Sequence, residues 1–302
     1  MSASAAKGTV KGVHKDAIRF SVEIFPPAEP RARARLAERL ETLSPMAPEY
    51  VSVTYGAGGT TRERTIEMVS RVADDTSIDV AAHLTCVGAS RRDVDLMVDN
   101  YAKAGVSRIV ALRGDPPGGL DVPYAPHPEG YQATADLVAR IAARGNFGIS
   151  VAAYPEKHPQ SRDVAVDLDT LKAKVDAGAT GVLTQFFFNN HRFVTFFERA
   201  RAHGISVPLV PGILPIVNFK QVHAFASKCG ATMPDWLAAQ YEGLEDNLAA
   251  RIELGADYAA NQIAELVSEG HRSFHIYCLN RPEIVREVWD RVDAKISGDA
   301  AA

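Results

Sequence analysis

Short runs of β-branched and aromatic residues alternate along the chain with longer stretches whose apolar positions recur at helical spacing. The strand-like runs are Arg19 to Phe25, Tyr50 to Thr54, Val80 to Thr85, Ser107 to Leu112, Gly148 to Ala153, Gly181 to Gln185, Val207 to Pro211 and Ser273 to Cys278. Helical patterns follow them, for instance over Arg31 to Leu43, Arg62 to Ala73, Arg91 to Ala104, Leu168 to Ala177 and Arg192 to His203. Eight such units in succession, with no shift in composition between them, predict an α/β fold. A closed (β/α)8 barrel of the TIM type suits them better than an open doubly wound sheet. Asn218 to Gly270 is long enough for two or more helices, so extra helices are expected before the eighth strand. Residues 1–16 and 297–302 read as tails around a single domain spanning 17–296.

The reacting groups of such a barrel come from the C-terminal ends of its strands, where side chains converge on one mouth. Polar or glycine-rich clusters occur there: Thr54-Tyr55-Gly56-Ala57-Gly58-Gly59, Arg113-Gly114-Asp115, Tyr154-Pro155-Glu156, Gln185 and Leu279-Asn280-Arg281. In the first strand Phe20, Val22 and Ile24 alternate with Ser21, Glu23 and Phe25. If the apolar set faces the helices, Glu23 points into the barrel. A carboxylate in a poorly hydrated lumen favours its protonated form and suits a general acid; a buried Glu held by an Arg or by backbone donors is the equally weighted alternative.

The Gly56 to Gly59 loop could bring backbone N–H groups to a phosphate, with Thr60 to Arg62 opening a helix, although a plain turn is the commoner meaning of such a loop. Arg113-Gly114-Asp115 offers a cation, a flexible joint and an anion to a polar heterocycle, or else a surface ion pair. Phe186-Phe187-Phe188 and Phe196-Phe197 read as packing. No His-Glu-x-x-His pattern occurs, and His271 with His275 straddles a loop and a strand, so no metal is expected.

Composition narrows the classes. With 46% hydrophobic and 23% charged residues the 302-residue chain has material for a substantial core. A net charge of −4 without like-charge blocks argues against nucleic acid or an anionic membrane surface as partner. No long apolar segment is present, and three scattered cysteines, Cys86, Cys229 and Cys278, fit a reducing cytoplasmic setting.

The stretches FSVEIFPP from Phe20, VSVTYGAGGTTRERT from Val51, AHLTC from Ala82, IVALRGDPP from Ile109, ISVAAYPEKHP from Ile149, LKAKVDAGA from Leu171, TQFFF from Thr184, PGILPIVNFKQ from Pro211 and FHIYCLNR from Phe274 together resemble the methylenetetrahydrofolate reductase family. They follow one another in the family's order over roughly residues 18 to 290. The resemblance implies a barrel that binds FAD, takes hydride from NADH or NADPH, and passes it to 5,10-methylenetetrahydrofolate to give 5-methyltetrahydrofolate. It also implies the bacterial catalytic unit, without the regulatory domain of animal relatives, and a homo-oligomer.

Residue by residue, the resemblance makes Glu23 the general acid that protonates folate N10 and opens the ring to a 5-iminium cation. Asp115 becomes the carboxylate beside flavin and pterin. Gln185 and Gln221 resemble amides that read the pterin or nicotinamide edge, Phe225 the aromatic that stacks on either, and Arg281 a folate contact. For FAD it points to Thr54, Tyr55, Ala57, His83, Arg113, Gly114, Asp115, Tyr154, His158, Asp167 and Lys174. The chain departs from the pattern at Ala173, where relatives can carry Arg, and at Thr170, where they can carry Asn; no contact is carried over around Tyr131-Gln132-Ala133. Two rival readings stand beside the reductase: a folate-binding barrel without turnover, and a flavin barrel oxidising another amine.

Overall fold

In the computed structural model, which describes residues 18–55, 62–119 and 122–299, eight parallel strands close into a barrel in chain order. They are β1 (Arg19–Ile24), β2 (Val51–Val53), β3 (Val80–Thr85), β4 (Arg108–Leu112), β5 (Gly148–Ala153), β6 (Gly181–Phe186), β7 (Leu209–Ile213) and β8 (Ser273–Tyr277). Closure comes from β1, which pairs with β2 on one side and β8 on the other, leaving no open sheet edge.

The helices are α1 (Pro30–Glu41), α2 (Arg62–Asp75), α3 (Arg91–Lys103), α4 (Thr134–Ala143), α5 (Val164–Asp176), α6 (Asn190–Ala202), α7 (Phe219–Cys229), α8 (Asp235–Gln240), α9 (Leu248–Ser268) and α10 (Pro282–Asp299). Local chemistry sets their ends. Pro30 opens α1, where its missing N–H leaves no helical bond unmade. Ser90 caps α3 in a reciprocal box with Asp93, and α7 stops at Gly230, whose φ of 74° is left-handed. The expected extra helices before β8 are α7, α8 and α9.

The seventh strand runs past its expected end at Pro211 to Ile213. Proline has no N–H for the ladder, and the β6–β7 register shifts between Leu183 and Phe186. The N–H of Gly212 donates instead to Thr184 Oγ1 at 2.9 Å. A side chain thus repairs the gap that would otherwise end the strand.

Two apolar layers lie on either side of the barrel wall. Phe20, Val22 and Ile24 belong to the main core between strands and helices, with the Phe20 ring centroid 4.1 Å from that of Trp289. Burying each such side chain contributes about 1.5–3 kcal/mol. Inside the lumen Tyr50, Ala81, Val110 and Leu183 form a smaller plug. A third cluster, including Phe186, Phe188, Ile216 and Leu237, fastens α7–α9 to the wall, whereas Phe187 lies in the main core. The approach is close at Gly255 of α9, where a Cβ would lie 2.1 Å from the Ile216 carbonyl oxygen. No helix among the described residues is long and apolar enough to cross a membrane.

Candidate active site at the barrel mouth

Because Phe20, Val22 and Ile24 take the outer face of β1, Ser21 and Glu23 face the lumen. Glu23 retains 20% side-chain exposure, which leaves it open toward the mouth. Two imidazoles converge on its Oε2 atom: His83 Nε2 from β3 at 3.4 Å and His275 Nε2 from β8 at 3.5 Å. Burial lowers the pKa of His83, and nearby His275 lowers it further against the opposing pull of Glu23. His83 is therefore neutral near pH 7, so its contact with Glu23 is not an ion pair. Its Nε2 makes no hydrogen bond. Among the described residues no arginine is paired with Glu23, in contrast to one alternative left open by the sequence.

Beside this cluster a cavity of about 390 Å³ opens among the strand ends and α5. Its size lies within the usual range of small-molecule sites, roughly 300–1,000 Å³. Among the expected residues Tyr55, Arg113, Gly114, Asp115, Tyr154, His158, Asp167 and Lys174 line it, whereas Thr54 and His83 lie on neighbouring strand ends outside its wall. Ala57 and the rest of the Gly56 to Gly59 loop lie outside the described residues.

The cavity is electrostatically mixed. Lys174 reaches back from α5 to donate to the Ala152 carbonyl at 2.6 Å. Burial lowers its pKa to about 8, with Arg113 adding to the shift and Asp167 opposing it. Asp167 accepts from the His158 N–H and from Ser161 Oγ, both at 2.9 Å, which ties the loop after β5 to α5. Burial, followed by the charge of Arg113, lowers the pKa of His158. Arg113 donates to Gln160 Oε1 at 2.7 Å and lies over the Tyr124 ring at 4.7 Å. Between them Gly114 has a φ of 82°, and a Cβ there would stand 2.5 Å from Val87 Cγ1. Thr85 Oγ1, in the cavity wall, is buried without a hydrogen-bond partner. An unsatisfied hydroxyl, a partly desolvated ammonium and a guanidinium in one apolar-floored cleft match a ligand that joins a polar heterocycle to an anionic tail.

The remaining expected residues form a second sector. Gln185 borders a smaller depression with Tyr154, Phe186 and Cys229. Phe225 is 43% exposed on α7 and packs on Phe186 with centroids 5.3 Å apart. Gln221 is exposed one turn earlier on the same helix. Arg281 is exposed just after β8, following two residues in left-handed conformation, Leu279 (φ 48°) and Asn280 (φ 58°). Tyr277 links the sectors: its hydroxyl donates to the Thr184 carbonyl at 2.8 Å, and burial raises its pKa, with the charges of Glu23 and Tyr154 adding to the shift.

Several residues here are not assigned to the site by the sequence, His275 being weighed there only as a metal ligand. His275 and Tyr277 alternate with Phe274 and Ile276 as Ser21 and Glu23 do with their neighbours, so the same period-2 argument points them inward. Lys157 and Arg199 also line the cavity. No pattern in the chain flags them, because a loop and the neighbouring helix α6 bring them in. Thr170 lines the cavity while its hydroxyl donates to the Val166 carbonyl; Ala173 is exposed on α5 and does not line it. No group of three or more His, Cys, Asp or Glu among the described residues could hold a metal ion.

The profile of the family described as methylenetetrahydrofolate reductase matches residues 10–293. The 5,10-methylenetetrahydrofolate reductase of Escherichia coli (strain K12) is 40% identical over 267 residues, covering 88% of this chain and 88% of that protein. The enzyme of the same name from Pectobacterium carotovorum is 40% identical over 269 residues, covering 88% and 87%. Among solved structures, an uncharacterised Clostridium thermocellum protein that binds two copies of 5-methyl-5,6,7,8-tetrahydrofolic acid shares the fold, with a TM-score of 0.59 at 14% identity over 93% of this chain and 96% of that one.

Proposed function

The chain belongs to the methylenetetrahydrofolate reductase family, and on that premise we propose that it reduces 5,10-methylenetetrahydrofolate to 5-methyltetrahydrofolate. NADH or NADPH is the reductant, FAD the intermediary, and the two substrates use one site in turn. The observation that carries this reading is the lumen-facing carboxylate of Glu23 next to a cleft that offers cations and an unsatisfied hydroxyl.

Lys174 and Arg113 would supply positive charge for the FAD diphosphate, and Thr85 and the main chain at Gly114 would offer polar groups to its heterocycle. A bound FAD would supply the capacity to carry a hydride between the nicotinamide and the folate. The work left to the protein is orientation and proton transfer. Glu23, protonated at its outward oxygen, donates to folate N10 so that the five-membered ring opens. Asp115, exposed at the cavity wall, stabilises the cation that results. Phe225 provides an exposed aromatic face against which nicotinamide and pterin stack alternately, and Gln185 and Gln221 offer amides to their edges.

Anaerobic absorbance of the purified protein tests this. The expected result is a yellow protein bleached by NADH or NADPH and recoloured by methylenetetrahydrofolate. A protein that bleaches but is recoloured only by another imine would be a flavin barrel acting on a different amine. A colourless one that still binds folate would be a storage barrel.

A further inference from the structure

Glu23 is approached from below by a buried polar thread that the proposed reaction does not by itself require. Ser21 and His275 face each other across the β1–β8 pairing, and Ser21 Oγ lies 2.7 Å from His275 Nδ1. The Tyr50 ring, at the edge of the lumen plug, lies 6.3 Å from the His275 ring between centroids. His275 is fully buried, and its other ring nitrogen faces Glu23 Oε2 at 3.5 Å. His83 Nε2, from β3 on the other side of β1, faces the same oxygen at 3.4 Å. Both imidazoles thus converge on Oε2 rather than Oε1.

The arrangement decides a tautomer. If Ser21 accepted a proton from Nδ1, its own hydroxyl hydrogen would be left with the Phe274 carbonyl at 3.5 Å, at the limit of a hydrogen bond. The lone pair on Nε2 would then confront the lone pairs of the carboxylate that Glu23 becomes once its proton is given up. If Ser21 donates to Nδ1, the bond is short and Nε2–H points at the carboxyl group. The hydrogen bond on one imidazole nitrogen sets which proton the other carries.

We propose that Ser21 and His275 are positioning residues for Glu23: Ser21 locks His275 as the Nε2–H tautomer, and His275 holds Oε2 so that Oε1 presents the acidic proton to substrate. This rests on the reading of Glu23 as the general acid. The remaining groups around the carboxyl are neutral near pH 7: His83 from β3, the Tyr277 phenol beside His275 on β8, the Tyr50 phenol, and the hydroxyl of Ser52, which is paired in register with Glu23 and has no hydrogen-bond partner. Since His83 Nε2 makes no hydrogen bond, an Nε2–H donor on His275 is, among the described residues, the directed stabilisation of the carboxylate left after proton transfer. The 3.5 Å separation is long for such a bond, as is common before a substrate closes the site.

The test uses the flavin-loaded full chain and follows the two half-reactions separately. His275→Phe removes the donor while filling the space; flavin reduction by NADH or NADPH should be unchanged, and reoxidation by methylenetetrahydrofolate should slow about 10- to 100-fold, with its descending pH limb displaced upward. His275→Gln keeps an amide donor near Nε2 and should stay within about threefold of wild type, and Ser21→Ala should fall between the two. Wild-type reoxidation by His275→Phe, or equal loss in Gln and Phe variants, would overturn the assignment. Independently of any variant, the wild-type protein labelled with 15N-histidine should show His275 as the Nε2–H tautomer, and an Nδ1–H signal would refute the lock. Were wild type itself not reoxidised by the folate, the substrate reading would fall instead, and the tautomer measurement would still stand.

Discussion

Asn280 reaches across the barrel seam to Phe25, accepting from its N–H at 2.9 Å and donating to its carbonyl at 2.8 Å through one amide group. Phe25 follows the last residue of β1, two positions after Glu23, so this clasp fixes the strand end on which the carboxyl group rides. Asn280 holds a φ of 58°, a conformation that asparagine tolerates better than most residues. Asn280→Ala removes both bonds and keeps the strained backbone, for an expected loss of about 2–4 kcal/mol. Thermal unfolding should show a midpoint several degrees lower, and Asn280→Gly, which relieves the strain but not the lost bonds, should recover part of it.

Glu23→Gln retains the shape of the side chain and removes its acidity. Rapid-reaction absorbance should find flavin reduction by the nicotinamide unaffected and reoxidation by methylenetetrahydrofolate slowed by about 10² or more. Equal reoxidation rates in the mutant and wild type would remove Glu23 from the role of acid.

Lys174 carries a pKa lowered to about 8, chiefly by burial. A bound diphosphate favours its charged form, so flavin affinity should be level below pH 8 and weaken as the pH rises through that value, because binding must then take up a proton. In the ligand-free protein the sign is opposite. Between about 8 and 10.5 the folded state holds fewer protons on this group than the unfolded state, so its contribution to stability rises with pH. Lys174→Met should abolish both dependences and weaken flavin binding roughly 10- to 100-fold, as measured by fluorescence titration.

Gly114 accepts no side chain without movement, since its Cβ would lie 2.5 Å from Val87 Cγ1 and 2.9 Å from Thr85 Cβ at a left-handed φ of 82°. Gly114→Ala should cost about 1–3 kcal/mol and displace Arg113 or Asp115 from the cavity wall. The purified variant should carry substoichiometric flavin, read from the ratio of visible to ultraviolet absorbance.

Much of the architecture was legible because parallel strands buried on both faces leave compact apolar runs, and eight of these in order admit few topologies. The error at Pro211 arose from reading proline as a strand end, when a threonine hydroxyl from the adjacent strand serves in place of the missing ladder bond. Glu23 could be aimed inward because period-2 alternation needs no knowledge of partners. His275 obeys the same rule, yet was weighed only as a metal ligand. Arg199 obeys no such rule: its place in the cavity wall depends on where the fold sets α6.

The chain's own pattern of apolar and polar residues determined the order of elements, the closure of the barrel and the face on which each strand residue stands, since these follow from backbone geometry repeated locally. Which side chains then meet was decided by the fold. Glu23 and His275 are 252 positions apart, and only barrel closure in a particular β1–β8 register brings two imidazoles to one carboxyl oxygen. The cleft likewise exists only where loops and helix ends far apart in the chain stop short of filling the mouth, and their packing is a property of the whole molecule.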